Sequence, residues 1–200
     1  LFGLSDVPFT APKNTGFLKM LISLFEERDF FVLDFFSGSA SVADAVMQLN
    51  TVDGGNRKFI MVQVPEATDE KSVAYKGGYK TICEIGKERI RRATKKIAEE
   101  NVEAQFDGGF RVLKCDSSNM KDVYYNPAEY EPSLFSSLED NIKEDRTPED
   151  LLFQVMLDLG VLLSSKIEET TIAGKRVCNV EDNYLIACFD DNVTEEAITE

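Results

Sequence analysis

Val32-Leu33-Asp34-Phe35-Phe36-Ser37-Gly38-Ser39-Ala40-Ser41 is the stretch that decides the fold. The apolar run Phe30-Phe31-Val32-Leu33 ends on an acid, Asp34, without the alternation of a half-solvated strand. Such a run suits a strand buried on both faces of a parallel sheet. Small residues follow from Ser37 to Ser41, and Val42, Ala45, Val46 and Leu49 then recur at helical spacing. A strand that turns through small residues into a helix N-terminus brings backbone N–H groups close to a ligand, because no bulky side chain holds it off. The same turn also serves tight strand-to-helix packing, and by itself it does not separate the two.

Upstream, Leu18, Leu21, Ile22 and Phe25 mark an amphipathic helix, with Asn14 or Thr15 as its N-cap. Downstream, Asp53-Gly54-Gly55-Asn56 is a turn, and Lys58 to Gln63 reads as a second buried strand. A long helix near Lys80–Glu100 follows, with Ile82, Ile85, Ile90, Ala93 and Ile97 inward and Arg91, Arg92, Lys95 and Lys96 toward solvent. Arg89 joins those four as a basic face that reads first as solvated and second as a phosphate contact. Gly109 to Cys115 reads as a third strand, which would complete a doubly wound order.

Beyond Asp116 the character changes. Tyr124 to Pro132 is irregular, and Ser133–Lys143 could be a short helix. Thr147-Pro148-Glu149-Asp150 is a helix start, with Thr as N-cap, Pro in the first turn and acids beside the helix N-terminus. Leu151, Leu152, Val155, Met156 and Leu159 supply that helix's apolar face, and Gly160 ends it. Lys166–Thr171, Lys175–Val180 and Tyr184–Phe189 read as a small meander, against which the helix should pack. The predicted division is therefore residues 1–116 and residues 117–200.

Charge follows the same division. The 200 residues hold 22 Lys+Arg against 36 Asp+Glu, a net charge of −14. Residues 1–100 are balanced at 14 and 14, so residues 101–200 carry 22 acids against 8 bases. A duplex repels that second half, which reads as a solvated or protein-binding region. The chain contains no histidine, which removes imidazole bases and histidine metal sites, and its four cysteines have no CxxC spacing. No metal site is expected. No apolar run reaches the length of a membrane span, and a reducing, cytoplasmic setting is expected.

The turn also limits the ligand. It lacks the GxGxxG spacing that cradles a pyrophosphate, so a nucleoside without phosphate, S-adenosylmethionine, fits better. Asp34 to Ser41 resembles the D-x-F-x-G-S-G-[ST] cofactor motif of DNA amino-methyltransferases. Phe9-Thr10-Ala11-Pro12-Lys13-Asn14-Thr15 resembles the segment that precedes it in the circularly permuted members. Asn56 to Glu66 resembles the second strand of those members, and Tyr79 to Ala93 and Gly109 to Val112 resemble one branch, the modification (Mod) subunits of type III restriction–modification systems. Asp116-Ser117-Ser118-Asn119 and the acidic tail are similar too, so the resemblance spans nearly the whole chain.

The resemblance implies a partial Rossmann-like methyltransferase sheet with a small acidic α+β subdomain after it. It implies S-adenosylmethionine held by Lys13, Asn14, Asp34, Phe35, Phe36, Ser37, Gly38, Ser39 and Ala40, with Gln63 or Glu66 at the ribose. Asp116 could meet the adenine amine or form a plain Asx-turn. Two departures stand out: Ala40 replaces a glycine, and Gln63 replaces the usual acid. The [DNS]-P-P-[YFW] tetrapeptide that captures the base amine is not in these residues, so no catalytic residue is assigned. Asn126-Pro127-Ala128-Glu129-Tyr130 has one proline only and reads as a turn. With no initiator Met, the chain reads as the C-terminal part of a longer enzyme, most simply an adenine-N6 methyltransferase, with cytosine N4 as the alternative target. Its expected partners are DNA through the rest of the enzyme, a restriction subunit and a second Mod copy. The rival reading is a docking module for Mod or restriction subunits.

Overall fold

β1 (Phe31–Phe35) pairs in parallel with β2 (Lys58–Val62), with Phe31 opposite Lys58 and Phe35 opposite Val62. Between them runs α2 (Ser41–Asp53), so the first part of the chain is a β-α-β unit. The computed structural model describes residues 8–9, 11–101, 106–121 and 141–199. Two compact units divide it between Phe110 and Arg111.

In the first unit, α1 (Thr15–Ile22) begins where Asn14 Oδ1 accepts the Phe17 N–H at 3.1 Å. One core joins Ile22, Val42, Ala45 and Val46 to Val32, Phe59 and Met61 of the sheet. A second joins Ala43 and Met47 to Ile90, Ala93 and Ile97 of α4 (Ile82–Glu100). Thr81 caps α4 by accepting the Glu84 N–H, and a single turn, α3 (Val73–Lys76), precedes it.

The end of α2 is locked to the start of β2 by Arg57, a residue only 4% exposed. Its guanidinium donates to both Asp53 carboxylate oxygens at 3.0 and 2.9 Å and lies 5.6 Å from the Phe30 ring centre. Those hydrogen bonds hold the Asp53 carboxyl below its ordinary value, against the desolvation that would raise it.

Three expectations change. The strands are covered on one face, not both: Phe31, Leu33 and Phe35 are 50%, 51% and 64% exposed, and Ile60 and Val62 are also open. Apolar residues on both faces require a layer on each, and the described helices supply one. Residues 109–115 form no ladder, so the sheet is two-stranded among the described residues, short of the Rossmann-like order. Arg111 instead donates to the Leu163 and Ser165 carbonyls, which draws its segment into the second unit. Asn141 to Lys143 are not helical. Lys121 and Lys143 exchange backbone hydrogen bonds with Asn141 and Asn119, forming a bridge beside Met120 and Ile142. The stretch Tyr124 to Pro132 and the rest of the Ser133–Lys143 helix lie outside the described residues.

The second unit sets α5 (Pro148–Asp158) on an antiparallel meander of β3 (Ile167–Ile172), β4 (Lys175–Val180) and β5 (Leu185–Ala187). A short α6 (Glu195–Thr199) ends the described chain. Thr147 and Asp150 cap α5 reciprocally, with Pro148 in the first turn. Leu152, Met156, Val161, Cys178 and Val180 form the core, flanked by Phe153, Leu185 and Phe189. Leu159 is the helix cap and half exposed rather than packed, because Gly160 turns the chain away in a left-handed conformation.

Candidate cofactor-binding site

The chain leaves β1 through a turn that is left-handed at alternate residues: Phe36 at φ 59°, Gly38 at 54° and Ala40 at 55°. An L-residue held there costs about 1–2 kcal/mol, so the neighbours must hold Phe36 and Ala40 in place. The Ser37 N–H donates to the Val62 carbonyl at 3.1 Å, and the Ala40 N–H donates to the Ser37 carbonyl at 2.9 Å. The Gly38 N–H donates to Gln63 Oε1 at 2.8 Å, and Gln63 Nε2 donates in turn to the Val64 carbonyl. A Cβ on Gly38 would stand 3.0 Å from the tip of the Phe9 ring, which would have to shift, and the left-handed φ there favours glycine as well. The upstream segment and the turn, read as separate motifs, thus meet at Phe9 and Gly38.

Ser39 and Ala40 point the other way, buried against α4. Gly86 allows this approach, since a Cβ there would lie 3.2 Å from the Gly38 carbonyl oxygen. One helical turn further on, Arg89 Nε donates to Asp44 Oδ2 at 3.1 Å and Nη1 donates to Ser39 Oγ at 3.4 Å. Asp44 Oδ1 accepts from Gln48 Nε2 at 2.7 Å, and Gln48 Oε1 accepts from Lys19 Nζ at 2.9 Å. Arg89 therefore does not belong to the solvated basic face. The others on that face pair along the helix: Arg91 and Arg92 with Glu88, Lys95 with Glu99, Lys96 with Glu100.

The remaining sequence-derived residues fall into three groups. Asp34 is half buried beside the turn, and its carboxylate has no hydrogen bond or ion pair among the described residues. Glu66 is exposed and its carboxylate is equally unpartnered there, while its carbonyl accepts the Ile82 N–H at 3.0 Å and ties the loop to α4. Phe35 and Phe36 are exposed at the strand end, Lys13 is exposed, and Asn14 is engaged as the cap of α1. Asp116 lies in the second unit, where it accepts the Ser117 N–H at 2.7 Å and pairs with Arg146 at 3.5 Å. The Ser117 N–H, then Arg146, hold its carboxyl below the ordinary range.

Over 200 residues, 99% of its length, the chain is 34% identical to the Type III restriction-modification enzyme EcoP15I Mod subunit of Escherichia coli. The chain belongs with the Mod subunits of type III restriction–modification enzymes. It is 32% identical over 194 residues to the EcoPI Mod subunit of Escherichia phage P1, covering 95% of this chain. Over 111 residues, 56% of the chain, it is 46% identical to the StyLTI Mod subunit of Salmonella typhimurium. It spans 29%, 28% and 17% of those Mod subunits, respectively. No protein-family model matches the chain.

Sequence reasoning missed the Arg89–Asp44 pair and Gly86. A signal was present: Arg89 is four residues from both Ile85 and Ala93, on the apolar stripe of the helix. A charge on that stripe calls for a buried partner. Among the described residues no helix is long and apolar enough to cross a membrane, and no group of His, Cys, Asp or Glu could hold a metal ion.

Proposed function

We propose that the first unit is the S-adenosylmethionine-binding part of a DNA amino-methyltransferase acting on adenine N6 in a type III restriction–modification system. The observation that carries this is Asp34, a half-buried carboxylate without a protein partner beside a turn whose inner residues are small and buried. A carboxylate at a strand end with no protein partner is free to take a cation through charge-assisted hydrogen bonds, and the methionine ammonium group is one.

When bound, S-adenosylmethionine supplies an electrophilic methyl group for the base amine. Asp34 would take the ammonium through charge-assisted hydrogen bonds. Glu66, rather than Gln63, would meet the ribose hydroxyls, because the Gln63 amide is already engaged by Gly38 and Val64. Phe9, whose ring lies against Gly38, would exclude water from the turn. The base amine would be captured by residues outside this chain, since the proline-proline tetrapeptide is not within it. The second unit, acidic in composition, would serve as the contact to a protein chain, a restriction subunit or a second Mod copy, rather than to DNA.

Titration of the full-length protein with S-adenosylmethionine tests this. Saturable binding is expected, and Asp34→Ala should weaken it by about 2 kcal/mol, the worth of a charge-assisted hydrogen bond, with the unfolding temperature kept. Unchanged affinity in that variant would place the site elsewhere.

A further inference from the structure

We propose that Arg89 is a positioning residue for the cofactor turn, holding Ser39 and Ala40 in register through Asp44. The inference rests on reading the turn as the S-adenosylmethionine site, and it assigns a role to a buried charge that cofactor binding itself does not use.

Arg89 and Asp44 are 11% and 3% exposed at their side chains, so both charges are withdrawn from water. A buried ion pair is weak evidence of stabilisation, because apolar residues of similar volume often stabilise as well or better. What an apolar pair cannot do is fix direction. The planar guanidinium presents its donors as a rigid fork, and here the fork bridges two elements, Asp44 in the first turn of α2 and Ser39 in the loop before it. The Asp44 N–H donates to the Ala40 carbonyl at 3.3 Å, so the residue that holds the guanidinium is also the first whose main chain bonds back to the turn. Gly86, on the same helix face, lets the guanidinium helix come close enough for that bridge. The polar chain continues through Gln48 to Lys19 of α1, whose leading segment carries the Phe9 ring over Gly38. The buried charge is thus linked by side-chain hydrogen bonds to Ser39 in the turn and to Lys19 of α1.

The test compares three forms of the full-length protein: wild type, Arg89→Lys, and the double variant Arg89→Met with Asp44→Leu. Each is titrated with S-adenosylmethionine by calorimetry and unfolded thermally. The double variant should keep the wild-type unfolding temperature yet bind about tenfold more weakly, the equivalent of one lost charge-assisted hydrogen bond. Arg89→Lys keeps the charge on Asp44 but lacks the second arm, and should bind with intermediate affinity. A purely structural pair would lower the unfolding temperature and spare the affinity of the molecules that remain folded. Wild-type affinity in the double variant overturns the proposal, and if that variant does not fold, wild-type affinity in Arg89→Lys does so. Failure of the wild type itself to bind overturns the cofactor site and this proposal with it. Binding by the wild type with no change in the variants overturns the positioning role alone.

Discussion

Arg57 shows at the scale of one residue how a charge can stabilise the first unit. Its side chain is 2% exposed, and Asp53, its partner, is 21% exposed. The hydrogen bonds from Arg57 depress the Asp53 carboxyl below its ordinary 3.8. A depressed carboxyl contributes stability that is fully present above the unfolded value and is lost as pH falls through the folded value. Asp53→Asn is therefore expected to cost about 2 kcal/mol at neutral pH. The difference from wild type should shrink as pH falls below 3.8, as followed by denaturant unfolding across an acid series. A constant difference at all pH values would remove the ion pair as the cause. Of the candidate residues, the small ones at the turn were legible because their size alone implies close approach. Gln63 was not, because a glutamine can bind a diol or a backbone N–H, and its 2.8 Å contact to Gly38 arises only when β2 and the turn come together.

At the scale of elements, local signals sufficed wherever a helix end carries its own chemistry. The Thr147-Pro148-Glu149-Asp150 start of α5 is present as a full reciprocal cap, with Thr147 accepting from the Asp150 N–H and Asp150 accepting from the Thr147 N–H at 2.7 Å. Thr147→Ala should lower the stability of the second unit by about 1 kcal/mol, read as an earlier unfolding transition with the first unit unchanged. An unaltered transition would mean that packing of Leu152 and Met156, not the cap, sets the helix. The expected strand at 109–115 failed for the complementary reason. Val112 and Leu113 have strand-like side chains, but a strand exists only with a partner, and both are about half exposed here.

At the scale of the whole molecule, charge is distributed by unit. With 20 acids against 8 bases in residues 111–200, the second unit offers few cations to displace the counterions of a duplex. Removing residues 117–200 from the full-length protein should leave the salt dependence of DNA binding unchanged while weakening assembly with its protein partners. Loss of DNA affinity with assembly intact would overturn the protein-contact reading of the second unit.

The β1–α2–β2 order, the reciprocal cap of α5, the small-residue turn and the charge asymmetry were legible in the sequence alone, because each depends on residues close together in the chain or on composition. Tertiary structure alone decided what lies across the sheet from Leu33 and Ile60, where no described element packs. It also decided that the Gln63 amide closes on Gly38 and that Arg89 turns inward to Asp44. Those outcomes join residues 25 and 45 positions apart, and an interaction between distant residues is set by how the elements pack, which no local pattern encodes.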